Sequence, residues 1–239
     1  MTVDKTRPDQ NLSLFLVCGI LGFTGRDCII LLCSAMTGYT PTEKDSIRIF
    51  LLVISSILAL GIAWYAYRFG GGKETFFRFM GFFRWVWRWK FFFTALMVFF
   101  GSCMISLCWQ QLLKVVGLAP VVPEATAWGI HVLKNRQLIL FAVYVFYTLV
   151  VAPVSEEFFF RRVLGDVFAF YFPEWLAASL QAFIFSLLHF SVSAFPALFF
   201  LGYILFWCYR KYQTLWAAVF IHGLYNFYCW VLLWLGLQV

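Results

Sequence analysis

Six polar side chains stand inside or beside long apolar runs: Glu156, Glu157, Arg161, His189, His222 and Asn226. Ionisable groups in such surroundings are costly, and they commonly face a bundle interior or a water-filled cavity. Glu157 and Arg161 are four residues apart, which puts them on one helix face where they can pair. His222 and Asn226 repeat that interval and present two hydrogen-bonding groups to one spot, while Phe185 and His189 repeat it with an aromatic ring one turn before the imidazole. Pro153, just ahead of the two acids, has no N–H, so it bends its helix and frees a carbonyl.

Such a set could hydrolyse an amide. That reaction needs a base for water, donors for the developing oxyanion and a proton for the leaving amine. A partly desolvated carboxylate beside a second one is suited to hold water's proton, and imidazole and carboxamide N–H groups can both donate to an oxyanion. No Ser or Cys has an evident partner base, so a covalent intermediate is not favoured. Each residue alone has a plainer reading: an intramembrane His or Asn can serve a helix contact, and a Glu–Arg pair can be structural. Two adjacent carboxylates together with two histidines and an asparagine favour a functional site.

The elements that must position these groups follow from composition. Of 239 residues, 63% are apolar and 12% charged, and the mean hydropathy is +0.85. A soluble domain is nearer half apolar and a quarter charged, and a chain this small could not hide so much apolar surface from water. A disordered chain, a coiled coil, a disulfide-rich secreted module and an ordinary soluble enzyme are excluded. The apolar runs are too long and unbroken for barrel strands, so the expected fold is all-α, a polytopic membrane bundle.

A helix needs about 20 residues to cross the hydrocarbon core. Candidate spans run roughly over residues 12–36, 47–67, 91–113, 138–154, 175–192, 195–209 and 215–237, which predicts about seven, within a range of six to eight. The turn Phe172-Pro173-Glu174 makes residues 138–192 an antiparallel hairpin. Glu156 and His189 lie at nearly equal distances before and after Pro173, so at about 1.5 Å per residue they reach the same level. His222 enters the last span by roughly 10 Å on the same rise.

The net charge of +7 is read as topology and contact with anionic lipid heads, not nucleic acid. With the N-terminus in the cytoplasm, that side holds Lys5, Arg7, Arg68, Lys73, Arg78, Arg84, Arg88, Lys90, Arg161, Arg162, Arg210 and Lys211. The other side holds Lys44, Arg48, Lys114, Lys134 and Arg136. Residues 69–90 interleave Phe and Trp with basic residues and suit the headgroup zone. Residues 114–136 read as an external loop. The seven cysteines include no C-x-x-C and are expected to be small packing residues. The polar N-terminus and the lack of a clear cleavage site predict that the first span is retained. Arg26 and Asp27, about 100° apart within it, are expected to serve separate packing contacts.

At Glu156-Glu157-Phe158-Phe159-Phe160-Arg161, Phe185-Ser186-Leu187-Leu188-His189 and His222-Gly223-Leu224-Tyr225-Asn226, the chain resembles one family. It is similar to the CAAX-processing and bacteriocin-processing (CPBP, or Abi) intramembrane proteases, related to the type II CAAX prenyl endopeptidases. The Thr214-Leu215-Trp216 lead-in is similar too. Each motif alone is weak, but three in order within apolar segments are specific. The resemblance covers about residues 137–237, marking a catalytic helix core at 137–239. It leaves 1–136 as an N-terminal membrane region with three spans, the interfacial segment and the external loop. It implies hydrolysis of a peptide bond in a membrane-anchored or prenylated protein or peptide. By the same resemblance Glu156 would activate water with help from His189, His222 and Asn226 would form the oxyanion site, and Glu157 and Arg161 would hold the geometry, with no cofactor.

Two alternatives stay open. Glu156, His189 and His222 could hold Zn²⁺ with an open position for water, although H-E-x-x-H is absent. The chain could also be a non-catalytic transporter or scaffold, since buried Glu, His and Arg make proton relays, although no related halves are seen. The expected setting is a multi-pass integral membrane protein whose site opens to the cytoplasm, with lipid bilayer and a membrane-anchored substrate as partners and no nucleic acid.

Overall fold

The computed structural model describes residues 41–69, 73, 75–82, 89–118 and 124–234. Among them the regular structure is helical throughout: α1 (Pro41–Phe69), α2 (Phe76–Phe79), α3 (Trp89–Val115), α4 (Glu124–Lys134), α5 (Leu138–Tyr171), α6 (Glu174–Leu187), α7 (Phe195–Tyr212) and α8 (Leu215–Trp234). The all-α class is as expected. The first expected span, with Arg26 and Asp27, lies outside the described residues. Of the described helices, α3, α5 and α8 are long and apolar enough to cross a membrane, while α6 and the Val53–Phe69 part of α1 are apolar but shorter. Among the described residues, length and composition alone mark three spans, which leaves the expected count of about seven open.

The packing of α3 shows what solvent these helices suit. Ala95, Val98, Ser102, Ser106, Gln110 and Leu113, spaced three and four apart, are buried against the bundle. Phe92, Phe93, Met97, Phe100, Met104 and Leu107 face outward. An apolar face that large is a liability in water and is ordinary against lipid tails. Ala95, Ser102 and Ser106 among the inward positions are small, which permits close helix approach in a bilayer. The pair α6–α7 uses the same device: a Cβ at Gly202 would stand 3.2 Å from the Ala182 Cα, so glycine lets the two backbones meet.

The expected turn is present, with α5 ending at Tyr171 and Pro173 preceding α6. Helix α5 runs well past the expected end at residue 154, because Phe158, Phe159, Phe160, Val163 and Leu164 keep it apolar and buried after the acids. Arg161 and Arg162 consequently lie inside α5, beyond the expected end of that span. Arg161 is 0% exposed, and Arg162 keeps a partly exposed side chain. The helix is also irregular, with π-helical stretches at Tyr147–Val151 and Phe158–Gly165 on either side of Ala152–Glu157. Such stretches are frequent at functional sites.

Part of the basic aromatic segment packs into the bundle. Phe77 is exposed, but Phe79 and Met80 are buried, and the Phe79 ring packs on Tyr67 at 4.6 Å and Phe158 at 5.4 Å. Gly81 turns the chain at φ +83°, where a side chain is strained. Its carbonyl accepts the Leu215 N–H at 2.8 Å at the start of α8. Nearby, Asp166 accepts from Arg162 Nη1 at 2.8 Å and Tyr209 Oη at 3.0 Å, while Arg210 pairs with Glu174 at 2.6 Å. These bonds tie α5, α6 and α7 together at one end.

Candidate active site

The site is organised by α5. Glu157 is completely buried, and Arg161 reaches back one turn to it. Arg161 Nη2 donates to Oε1 at 3.0 Å. Its Nε stands 2.8 Å from Oε2, close enough for strong charge attraction but too bent to count as a hydrogen bond. Arg161 Nη1 donates to Gln181 Oε1 at 2.9 Å, and its guanidinium lies 4.8 Å from the centre of the Phe185 ring. The pair expected from the four-residue spacing is thus present, with hydrogen-bond acceptors for both Nη groups of a cation that water does not reach.

Helix α8 brings His222 to the same carboxylate. His222 Nδ1 is 2.8 Å from Glu157 Oε1. A carboxylate held by arginine can only accept, so the network assigns a proton to Nδ1 and, in the neutral ring, the lone pair to Nε2. That Nε2 lies 3.9 Å from Glu156 Oε2. Glu156 keeps 15% of its side chain exposed, while its neighbour keeps none. Adjacent acids on one helix have thereby been separated into a buried, paired carboxylate and a partly accessible one, with His222 between them.

His189 takes a different position from the one its spacing suggests. Helix α6 stops at Leu187, and His189 sits exposed in the turn that follows, where Phe190 adopts φ +49°. Its Nδ1–H donates to the Phe185 carbonyl at 2.7 Å, which again makes Nε2 the nitrogen carrying the lone pair. Its ring packs on Phe185 at 4.7 Å, and the same Phe185 ring meets His222 edge-on at 5.7 Å. The two histidines therefore flank one buried aromatic ring. The turn is tied to α3 by Trp109 Nε1, which donates to the Val192 carbonyl at 3.0 Å.

Asn226 does not join His222 on one partner. Its Nδ2 donates at 2.8 Å to the carbonyl of Thr148, in the π-helical stretch of α5. In that stretch Ala152 N–H bonds Tyr147, five residues back. The next donor in this register would be residue 153, which is Pro153 and has none. The freed carbonyl expected from the proline is thus taken by the asparagine. Beside it, the Leu149 carbonyl would lie 2.7 Å from a Cβ at residue 223, so Gly223 is what lets α8 approach.

Three contributors stand outside the four-residue spacings. Gln181, a buried amide in an apolar helix, was detectable as a polar residue in a span. Trp109 and Thr148 carried no signal in the sequence, since each acts through a partner distant along the chain. The free cysteines Cys103, Cys108, Cys208 and Cys229 form no disulfide. Among the described residues no three His, Cys, Asp or Glu side chains converge as ligands for one metal ion.

Glu156, Glu157 and His222 thus form an acid–histidine cluster inside an apolar helical bundle. Residues 137–228, which hold Glu156, Glu157, Arg161, His189, His222 and Asn226, match the family model described as type II CAAX prenyl endopeptidase Rce1-like. The match supports a CAAX-type intramembrane endopeptidase as the general activity. No curated protein and no solved structure matches the chain.

Proposed function

We propose that residues 137–239 form the catalytic core of a membrane endopeptidase in which Glu156 activates a water molecule, with no covalent intermediate and no catalytic metal. The observation that carries this reading is the pair of unequal carboxylates around His222: Glu157 buried and held by Arg161, Glu156 partly accessible at 3.9 Å from His222 Nε2. Glu156 takes a proton from water as the water oxygen attacks the peptide carbonyl. The C–N bond then breaks, and the amine leaves with the proton that Glu156 held. His189 assists at the water.

His222 stabilises the oxyanion under one condition. With Nδ1–H committed to Glu157, the neutral ring keeps its lone pair on Nε2, and Nε2 donates only once the ring is imidazolium; with Glu156 then holding the proton from water, Glu157, Arg161 and His222 carry a net single positive charge, which the oxyanion neutralises. Asn226 contributes through the second N–H of its carboxamide. Both histidines give Nδ1 to an oxygen acceptor, as zinc ligands do, but the zinc alternative fits less well because Glu156, His189 and His222 do not converge as ligands for one ion. The substrate is a membrane-anchored protein or peptide, prenylated at a C-terminal CAAX cysteine as the family description suggests. The N-terminus and the opening of the site face the cytoplasm, a reading supported by the excess of Lys and Arg assigned to that side.

The test uses an S-farnesylated peptide ending in a CAAX sequence, presented in detergent micelles, with wild type and Glu156→Gln. Cleavage by wild type, loss of at least about 10³-fold in the variant with folding intact, and insensitivity to chelators are expected. Turnover that survives Glu156→Gln, or that chelation abolishes and zinc restores, overturns the mechanism. Cleavage of the unprenylated peptide at the same rate overturns the substrate assignment.

A further inference from the structure

The buried polar chain behind the site ends on a residue outside all three motifs. Gln181 on α6 is 0% exposed, and all the hydrogen-bonding atoms of its amide are engaged. Its Nε2 donates to the carbonyls of Ala178 and Gly202, each at 2.9 Å. Two carbonyl acceptors on one side identify that atom as nitrogen, so the oxygen must face Arg161, whose Nη1 donates to it at 2.9 Å. The amide therefore has one possible orientation, set by backbone atoms of two helices.

We infer that Gln181 is a positioning residue for the catalytic centre, acting through Arg161 and Glu157 on the orientation and tautomer of His222. The inference rests on the proposed hydrolytic role of Glu156 and His222. Arg161 has three sets of N–H groups, and two of them face Glu157. Without an acceptor at Gln181, a buried Nη1–H is stranded, and the guanidinium turns to find one. Glu157 follows, because its Oε1 receives both Arg161 Nη2 and His222 Nδ1. His222 then loses the contact that holds the proton on Nδ1 and points Nε2 at Glu156. A Gln that only filled space would have no path to the imidazole. Its amide meets the α7 backbone at Gly202, where a Cβ would stand 3.2 Å from the Ala182 Cα, so the anchor sits where α6 and α7 pack closely.

The experiment labels the histidines with ¹⁵N in full-length protein in lipid nanodiscs, at a pH where the rings are neutral. His222 signals are assigned by substitution, against wild type and Gln181→Met. Wild type should show His222 in a single Nδ1–H form. Gln181→Met should show a mixed tautomer, and kcat on the farnesylated peptide should fall about 10- to 100-fold with KM within about twofold. His222 signals and kcat unchanged in a folded Gln181→Met overturn the inference. Should that variant not fold, Gln181→Asn, one methylene shorter, takes its place: a mixed tautomer supports the inference, and an unchanged one overturns it. Glu156→Gln runs alongside: turnover that survives it refutes the glutamate mechanism, while the His222 signals still decide Gln181.

Discussion

Replacing Arg161 by methionine probes the buried pair directly. The side chain keeps most of its length and loses its charge, so Glu157 remains with no access to water and without its cation. Removing one partner of a buried ion pair costs about 3–5 kcal/mol. The local contacts narrow that range. Glu157 would retain the His222 Nδ1–H at 2.8 Å, which favours the lower part of it. Gln181 Oε1 would lose its Arg161 donor, which adds about 1 kcal/mol. A loss of about 4 kcal/mol is expected. Adding Glu157→Met removes the stranded carboxylate, so the double variant should recover at least about 2 kcal/mol relative to additivity. The assay is reversible unfolding in mixed micelles of mild and denaturing detergent, followed by circular dichroism. Turnover should be lost in all three variants, so stability and activity separate. An Arg161→Met protein within about 1 kcal/mol of wild type, or two strictly additive substitutions, would refute the description of this pair as buried and coupled.

The same assay tests the contact between α5 and α8. Gly223→Ala sets a Cβ 2.7 Å from the Leu149 carbonyl and should cost about 1–3 kcal/mol, whereas Gly61→Ala on α1, with nothing within 4 Å, should be neutral or slightly stabilising. Asn226→Ala removes the donor to Thr148 and should cost about 1–3 kcal/mol. Pro153→Ala in that background supplies an N–H one turn along and should restore most of the stability while turnover stays low. Failure of Pro153→Ala to rescue would mean that the asparagine does not replace the proline's missing donor.

What could be read from the sequence was local. The Glu157–Arg161 pair follows from helical spacing, the α5–α6 turn from Pro173, and the all-α class from runs of apolar residues that only helices can carry across lipid. The parts that were missed depend on contacts between distant elements. A π-helical register cannot be seen in residue types, because it arises when packing and a missing N–H favour bonds five residues back. His189 was expected on a helix, yet α6 ends at Leu187, since backbone bonds from His189 to Ser186 and from Phe190 to Leu187 tighten the last turn. The aromatic stretch before α3 looks interfacial by composition, and only the fold shows Phe79 beneath Phe158, next to the acids. Arg161 is buried for a similar reason: its partners Glu157 and Gln181 come from two helices, and spacing reveals one of them.

Pro153 links the second of these groups to the first. A proline within α5 leaves the backbone donor at residue 153 absent in any register, so either the Leu149 or the Thr148 carbonyl loses its partner. Helix α8 meets both. Gly223 offers no side chain where Leu149 protrudes, and Asn226 carries an amide where Thr148 needs a donor. The glycine and the asparagine stand one and four residues after His222, so fitting α8 to the proline defect also fixes the height and rotation of the imidazole against Glu157. The spacing of that third motif thus has a structural cause before it has a catalytic one: the backbone irregularity just ahead of the acids aligns the histidine that lies between them.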